Sequence, residues 1–463
     1  MSGIITGRFA FNISNYRVYI TLTCSQTSNP ETFTSDGRIA PMSKNQAKQF
    51  LTYAILVIIG LALVIVILYQ IPAVNARLSW RVDIAMTYLR GVIFPVKPFP
   101  TPAEALVLPT QAATNTTTSL PTLVPNQPTA TIAPTATPQP SPTPIPAAVQ
   151  LPAPLWELQD ANNCGPATLA LYLRYYGWEG TQDDIAQLVK PIPEDRNVNP
   201  EELVYYVRTH AGWLSSEFRV GGDLELLKKL VAAGFPVMIE ESFYFDQPFW
   251  PNDDLWAAHY LLVTGYDDST QTFTGQDSFH GANQVIPYST LDDYWQIFNR
   301  VYLLTYLPAQ EEALKAILGD NFDPDLNRQH ALEVAQAETQ SEPDNAFAWF
   351  NLGSNLVYFE RYGEAASAYD TARNLGLPQR MLRYQFGPFF AYFHAAMTTE
   401  LLAVTEYALQ RTPNSEEALL WHGWALYRMG KKVEAIADWQ KALEYRPGYQ
   451  DAQYAIDFAA SNP

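Results

Sequence analysis

The stretch Gln159-Asp160-Ala161-Asn162-Asn163-Cys164-Gly165-Pro166-Ala167-Thr168 places a cysteine at the predicted start of a helix. Pro166 suits the first position of a helix, and apolar residues then recur at helical spacing until Gly177. Unpaired backbone N–H groups and the positive end of the helix dipole stabilise a thiolate there, and the thiolate is the reactive form of cysteine. Cys164 is therefore predicted to be a nucleophile.

A glutamine lies five residues before this cysteine. Gln159 is placed to donate its side-chain amide to an oxyanion that forms on an attacked carbonyl, together with the backbone N–H of Cys164. Asn162 and Asn163 between them are most simply loop and N-cap residues. The spacing thus favours acyl chemistry at a helix start.

A histidine and an aspartate follow about a hundred residues later on a predicted hairpin. Residues 258–266 (AHYLLVTGY) and 272–278 are typical of strands, and residues 267–271 of a turn. If the hairpin is symmetric about Asp268, His259 and Asp277 lie opposite each other with Cβ atoms about 5 Å apart. Asp277 would then hold one imidazole tautomer of His259 while the other ring nitrogen faces the cysteine.

Other ionisable residues near these motifs have competing interpretations. His280 is an alternative general base, but it lies beyond the predicted strand, where no carboxylate is expected across from it. Glu240 and Glu241 end an apolar strand and are expected to form a solvated rim, with a part in substrate selection left open. His259 is the preferred base.

These motifs resemble the papain-like cysteine peptidases of the bacteriocin-processing (double-glycine leader peptidase) family. The matching features are Q-x4-C-G-P-A, H-Y-L-L-V-T-G-Y-D and G-Q-D-S, within about residues 154–308. The family's usual Asp-Pro pair after the second strand is here Asp277-Ser278. The resemblance implies an α+β papain-like domain that needs no metal and no organic cofactor. It implies four roles: Gln159 the oxyanion donor, Cys164 the nucleophile, His259 the general base and Asp277 the residue that orients it.

Length and charge limit the classes of protein. A chain of 463 residues allows two to three domains. Its net charge of -18 argues against a nucleic-acid partner, because phosphate binding requires a basic patch. The two cysteines, Cys24 and Cys164, lie on opposite sides of an apolar segment, so no disulfide is expected.

The N-terminal part of the chain is dominated by this apolar segment. Residues 50–71 contain no charged residue and predict a transmembrane helix, with a cleaved signal peptide ending near Ala76 as the alternative. Residues 72–94 predict a juxtamembrane helix that lies on the membrane surface or packs on protein. Residues 1–49 show no sustained period and are expected to be disordered.

A linker is predicted over residues 95–153. Residues 95–154 contain 16 of the 35 prolines and many threonines, which cannot form a core. Such a chain favours extended polyproline II structure and would act as a spacer between the anchor and the following domains. Since the charges that flank the apolar segment hardly discriminate between orientations, the spacer favours extracytoplasmic C-terminal domains.

Helical repeats are predicted in residues 309–463. Trp349-x2-Leu352-Gly353 recurs as Leu419-x2-His422-Gly423, and a degraded copy fits between them at a period of about 34 residues. The pattern resembles tetratricopeptide repeats over residues 346–449. This resemblance implies an all-α domain that binds a protein partner, although so short an array also suits packing against a neighbouring domain.

The sequence therefore predicts an α+β papain-like domain and an all-α tetratricopeptide-repeat domain behind one transmembrane helix and a disordered Pro/Thr-rich linker. The expected activity is hydrolysis of peptide bonds in a peptide or protein substrate through an acyl-enzyme. Two alternatives stay open. One is an amidase or acyl-transfer enzyme that uses the same residues, and the other is an inactive binding module at the cell envelope.

Overall fold

A computed structural model describes residues 4–13, 16–25, 44–103, 145–191 and 197–462. The chain divides into two compact units, Met1–Asp83 and Ile84–Pro463, and each is described separately. The second unit contains the predicted α+β and repeat regions.

The first unit contains a two-stranded hairpin and an apolar helix. Strands β1 (Ile4–Ile13) and β2 (Tyr16–Ser25) pair antiparallel, and helix α1 spans Lys44–Tyr69. The hairpin differs from the disorder expected for residues 1–49. Its strands are rich in β-branched and aromatic residues, which favour extended backbone even where no clear alternation is visible.

Within α1, residues Lys48–Tyr69 are long and apolar enough to cross a membrane, and none of this stretch is buried against protein. A signal sequence passes the same criterion. Helix α2 follows at Pro72–Ile93 and continues into the second unit.

The α+β region is built on one antiparallel sheet. Its strands run in the order β4, β9, β5, β6, β7, β8, and β3 also pairs with β6. The bounds are β3 Ala148–Gln150, β4 Ser215–Arg219, β5 Val237–Tyr244, β6 Trp256–Asp267, β7 Thr272–Asp277, β8 Gly281–Pro287 and β9 Tyr302–Tyr306.

Helices cover both faces of this sheet. The helices are α3 Cys164–Tyr175, α4 Gln182–Val189, α5 Pro200–His210, α6 Leu224–Ala232, α7 Tyr288–Gln296 and α8 Glu311–Leu318. Helices α3 to α5 bury apolar side chains with Met238 and Leu262, whereas α6 to α8 pack with Ile239 and Leu261. Adjacent strand residues point to opposite faces, so β5 and β6 supply both cores.

Paired helices follow the sheet. Their bounds are α9 Pro324–Ser341, α10 Ala346–Tyr358, α11 Tyr362–Leu375, α12 Met381–Tyr384, α13 Gly387–His394, α14 Thr398–Arg411, α15 Glu416–Arg428, α16 Lys432–Tyr445 and α17 Gln450–Ser461. A Cβ atom at Gly353 would come within 2.9 Å of the Tyr369 ring, and one at Gly423 within 2.9 Å of the Trp439 ring. The repeated glycines therefore let each first helix approach an aromatic ring of the second. The predicted fold class, α+β followed by all-α repeats, is confirmed.

The helical repeats and the sheet region share one core. Asn327 of α9 exchanges two hydrogen bonds with the backbone of Val220, and Asn351 of α10 donates to the carbonyl of Gln296. Trp256 of β6 stacks on Phe298 and contacts the ring of Tyr384 from the repeat region. The first helices of the array thus pack against the neighbouring domain, as the sequence allowed.

Both ends of the predicted linker lie in folded structure. Strand β3 pairs with β6 inside the range 95–153, and residues 95–103 lie against the repeat helices. The prediction that disorder extends over this whole range is wrong at these two ends. Its composition excludes a core of its own, but it does not exclude pairing with an existing sheet or packing on existing helices. Residues 104–144 lie outside the described residues.

Candidate active site

Helix α3 begins at Cys164, so the predicted nucleophile is the first helical residue. The side chain is partly buried. The Thr168 hydroxyl donates to the Tyr260 carbonyl of β6 (3.0 Å), which fixes the start of α3 against the sheet. Backbone N–H groups without helical partners surround Cys164 at this position, as at any helix start.

The loop before the cysteine is held from helix α4. The Gln182 side-chain oxygen accepts from the Asp160 backbone N–H (2.8 Å) and from the Asn163 side-chain amide (2.7 Å). Lys190, almost fully buried, donates to the carbonyl groups of residues 161 and 162. Asn163 occupies the N-cap position, yet its side chain bonds Gln182 instead of capping the helix. Nothing local to the loop could have identified these two supports, which lie about 20 to 30 residues downstream.

His259 on β6 and Asp277 at the end of β7 form a buried pair. The Nε2 atom of His259 lies 2.9 Å from Oδ1 of Asp277, and both side chains are less than a tenth exposed. The same imidazole lies near the Cys164 sulfur, which acts to raise its pKa. Because Asp277 takes Nε2, the ring nitrogen that faces the sulfur is Nδ1. The structure brings the three predicted residues together, with a hydrogen bond between His259 and Asp277 and with Cys164 near the imidazole.

The register of this hairpin differs from the predicted one. The turn closes between Asp267 and Thr272, an offset of three residues from the predicted pairing, and a β-bulge between Val263 and Gly265 reduces the offset to two, so Leu261 and not His259 pairs with Asp277. His259 and Asp277 are therefore diagonal neighbours. The displacement is two residues, an even number, so the imidazole still projects on the face that carries the carboxylate. The predicted contact exists although the predicted register is wrong.

The charges of this pair support each other. Burial alone would lower the pKa of His259, but its interactions with Asp277 and Cys164 outweigh burial and raise the pKa to about 10. Burial acts to raise the pKa of Asp277, yet hydrogen bonds and attraction from His259 hold it well below its usual value. At neutral pH the site therefore favours an imidazolium between a carboxylate and the sulfur.

His280 contacts the same carboxylate from the other side. Its Nδ1 lies 2.7 Å from Oδ2 of Asp277, and its side chain is about half exposed. The Phe279 N–H also donates to Asp277. The expectation that His280 has no carboxylate partner is wrong, because the turn after β7 folds back over Asp277. His280 is bonded to Asp277 and not to the sulfur, which leaves His259 as the candidate base.

Gln159 is held by the residue that departs from the family pattern. The Ser278 hydroxyl donates to Oε1 of Gln159 (2.9 Å), and the Gln159 backbone N–H donates to the Ser278 carbonyl (2.8 Å). With Oε1 used as an acceptor, the carboxamide presents its NH₂ group as the donor. A proline at this position would lack the hydroxyl, so Ser278 supplies a contact that the motif alone does not reveal.

Glu240 and Glu241 do not form a solvated rim. Both are buried, and Glu241 of β5 is paired directly with His259 of β6. Burial raises the pKa of Glu241 to about 8, which the charge of His259 opposes and that of Asp277 reinforces. Burial also raises the pKa of Glu240, and the charge of Cys164 adds to that rise. Strand pairing, which the apolar pattern did not specify, places two acidic side chains beside the site.

The Glu241→Gln substitution should change the pH dependence of stability. Between pH 4.5, the ordinary pKa of the carboxyl, and about pH 8, Glu241 is protonated in the folded state and ionised in the unfolded state. Its contribution to the free energy of unfolding is therefore full below pH 4.5 and is lost as the pH rises towards 8. In the glutamine variant we expect a smaller drop in Tm between pH 5 and pH 8 than in the wild type.

The measurement is thermal unfolding of the full chain in detergent at both pH values. Glu333→Gln, at an exposed position of α9, is the matched control and should keep the wild-type drop. An unchanged drop in Glu241→Gln would show that Glu241 is ionised at neutral pH.

Within the described ranges, no group of three His, Cys, Asp or Glu side chains is arranged to hold a metal ion. The chemistry that this site can perform is nucleophilic. The thiol of Cys164, the imidazole of His259 and the carboxylate of Asp277 lie next to one another in space. The side-chain amide of Gln159 is held in the loop that precedes the nucleophile.

Comparison with known proteins gives matches to both regions of the chain. Residues 143–303 match the model of the Peptidase_C39 like family. A curated relative, the cytochrome c-type biogenesis protein CycH of Pseudomonas aeruginosa, is 28% identical over 133 residues, which is 27% of this chain and 32% of CycH. The chain thus spans about a third of the length of this relative.

Two solved structures are similar to the peptidase-like region. One is a C39-like peptidase from Bacillus anthracis (16% identity, 35% of this chain and 97% of that chain, TM-score 0.28). The other is the double glycine motif protease of an AMS/PCAT transporter in complex with the leader peptide (18% identity, 34% and 94%, TM-score 0.26).

Proposed function

We propose that the protein is a membrane-anchored cysteine peptidase that acts through an acyl-enzyme, since residues 143–303 match the Peptidase_C39 like family and paired helices follow them. The buried His259–Asp277 hydrogen bond, with Cys164 of the helix start near the imidazole, is the observation that carries this proposal. The family match supports the class of hydrolase, and the three side chains support this mechanism.

In the first half of the reaction, Cys164 sulfur attacks the carbonyl carbon of the scissile peptide bond. The imidazolium of His259 then gives its proton to the leaving amine, so that the C–N bond breaks and a thioester remains. In the second half, His259 takes a proton from water, which attacks the thioester and releases the acid and the thiolate. Asp277 keeps the Nε2–H of His259 bound throughout, which holds Nδ1 towards the sulfur.

Gln159 and the backbone N–H at the start of α3 serve as donors to the oxyanion in both halves. This role is supported by the Ser278 hydroxyl, which fixes the carboxamide with its NH₂ group as donor.

Removal of the oxyanion donor should therefore slow the chemical step. We expect Gln159→Ala to lower kcat by about 100-fold to 1000-fold, as for other oxyanion donors. Ser278→Ala should lower kcat by about tenfold, since the donor stays but one orienting hydrogen bond is lost. Both changes should leave KM nearly unchanged, and steady-state kinetics on a cleaved peptide is the measurement.

A buried serine at the other edge of the sheet provides the control. Ser216 of β4 bonds the hydroxyl of Thr305, and Ser216→Ala should retain the wild-type kcat. Equal losses in the Ser216 and Ser278 variants would reflect general destabilisation and would contradict the orienting role.

The substrate class is tested by incubating the full-length chain with a peptide library and identifying products by mass spectrometry. Peptide hydrolysis that iodoacetamide blocks would support the proposal. Products in which an added amine has replaced water would indicate acyl transfer instead, and an absence of products together with an unreactive thiol would indicate a binding module.

The anchor and the repeats complete the proposal. Helix α1 supplies a single membrane span, and the Thr/Pro-rich composition of the linker favours placing the C-terminal domains outside the cytoplasm. Protease added to intact cells should then reach the linker without opening the membrane. The repeats are proposed to bind a protein partner, because their array extends beyond the helices that pack on the peptidase domain.

A further inference from the structure

A short proline-containing segment lies along the repeat helices and is held by its backbone. The Lys97 carbonyl accepts from Nη2 of Arg411 (2.7 Å), and the Pro100 carbonyl accepts from Nε of Arg373 (2.9 Å). The Ala103 N–H donates to a carboxylate oxygen of Glu400 (3.0 Å). Three charged side chains thus form hydrogen bonds with the backbone of residues 97–103.

The spacing of these contacts indicates the conformation that is recognised. The contacted backbone groups belong to residues 97, 100 and 103, three residues apart each time. Polyproline II structure has three residues per turn and no internal hydrogen bonds, so every third residue faces the same side with its backbone groups open to a partner. Prolines at 98, 100 and 102 favour this conformation before binding. Phe99 adds a side-chain contact, its ring 4.8 Å from that of Tyr407.

The site is formed by the second helices of two successive pairs. Arg373 belongs to α11, whereas Glu400, Tyr407 and Arg411 belong to α14. The first helices, α10 and α13, supply none of the three backbone contacts. This surface is therefore distinct from one lined by the first helices of the array.

The charged side chains that contact the segment are buried. The Arg373 side chain is 1% exposed and forms a 2.7 Å ion pair with Glu400, which is 8% exposed. Tyr392 donates to the neighbouring Asp370 and accepts from Arg373. The buried pair contacts the segment directly, because the segment receives one hydrogen bond from Arg373 and gives one to Glu400.

The chain on either side of the segment is attached to the same compact unit. Before it, Arg90 of α2 donates to the last carbonyls of α14, at Leu409 and Gln410. After residues 104–144, Ile145 packs against the sheet core and β3 joins β6. The described residues on the two sides of 104–144 are therefore both held by the same compact unit.

We propose that α11 and α14 form a binding site for extended proline-containing chain, and that its ligand is residues 97–103 of this protein. The site clamps the peptidase and repeat domains to the end of α2. This inference does not depend on the proposed catalysis, because none of its contacts involves the candidate active site.

A protease cut between residues 97–103 and the peptidase domain tests this proposal. A recognition sequence for a site-specific protease is inserted within residues 104–144 of the full-length protein, which is then reconstituted in nanodiscs and cut. With an N-terminal tag, most of the C-terminal fragment should stay bound to the tagged fragment after cutting. Release of the wild-type fragment on cutting would overturn the proposal.

A double variant identifies the segment as the cause of retention. Phe99→Ala with Ala103→Pro removes the ring contact and the N–H donor but keeps the extended conformation, and should release the fragment at least about tenfold faster. Thr101→Ala, at an exposed residue between the contacts, is the matched control and should retain the fragment. Equal retention in the double variant and the control would overturn the assignment.

A synthetic peptide of residues 94–103 gives an independent measurement. Added in excess to the cut wild-type protein, it should displace the tagged fragment, whereas the same peptide with proline at position 103 should be at least tenfold weaker. Equal displacement by both peptides would contradict backbone recognition by Glu400. Each of these experiments measures retention of the fragment and not peptide hydrolysis. The outcomes are therefore informative even if the protein has no peptidase activity.

Discussion

Replacement of Cys164 by alanine is expected to abolish peptide hydrolysis and labelling by iodoacetamide while the domain stays folded. The expected loss in kcat is about 10⁴-fold or more, since removal of the nucleophile from such a triad leaves only the contribution of binding and the oxyanion donors. The side chain is small and partly buried at the start of α3, so alanine removes little packing. Kinetics on a cleaved peptide and mass spectrometry of the alkylated protein are the measurements.

The chain provides its own control for this experiment. Cys24 is the other of the two cysteines, so Cys24→Ala should retain both hydrolysis and the rapidly alkylated thiol. Hydrolysis that persists in Cys164→Ala would require another nucleophile and would refute the proposed acyl-enzyme.

The Asp277→Asn substitution should have the second largest effect. Asparagine presents an NH₂ group where the carboxylate accepts from Nε2 of His259, which favours the wrong tautomer. The expected drop in kcat is about 10⁴-fold, as in other triads with this change. It also removes a main cause of the raised pKa of His259, so the decline of the rate at high pH, as the imidazolium loses its proton, should begin at a lower pH than in the wild type. A pH profile of kcat measures both effects.

Variants of the two histidines separate the base from the second partner of Asp277. His259→Ala should reduce the rate as strongly as Asp277→Asn, whereas His280→Ala should reduce it only about tenfold. The smaller loss is expected because Asp277 keeps its bonds to His259 and to the Phe279 N–H. A greater loss of rate and of thiol alkylation at low pH in His280→Ala than in His259→Ala would reassign the base to His280.

The hairpin that carries His259 and Asp277 was only partly predictable from the sequence. Alternation of side chains specified which residues of each strand share a face, but His259 and Asp277 project from the same face only because a β-bulge between Val263 and Gly265 makes the net offset even. The register depended on where the turn closes, between Asp267 and Thr272, and a turn cluster of five polar residues allows more than one closure. The two residues in contact were thus predicted, but the register and the bulge that bring them together were not.

Groups that support the site were less accessible to prediction. Ser278, Gln182 and Lys190 act through bonds to a loop that is distant in sequence, and Glu241 becomes buried only when β5 pairs with β6. Their residue types are ordinary for exposed positions, so composition carries no signal of their roles.

The sequence by itself determined the features that arise from neighbours within a few residues. These are the helix start at Cys164, the strand character around His259, the apolar length of α1 and the repeated glycine and aromatic positions of the helix pairs. Each depends on a local hydrophobic period or on a helix-terminus signal. Such signals are present in the segment itself, whatever its tertiary contacts are.

Only the tertiary structure decided which distant groups meet. It placed His280 and His259 on the two oxygens of one carboxylate, and it laid residues 97–103 on α11 and α14 instead of leaving them in a spacer. Such contacts form because buried charges and backbone groups need partners, and the partner is selected by proximity in the fold. No sequence pattern specifies which residues distant along the chain become neighbours in the fold.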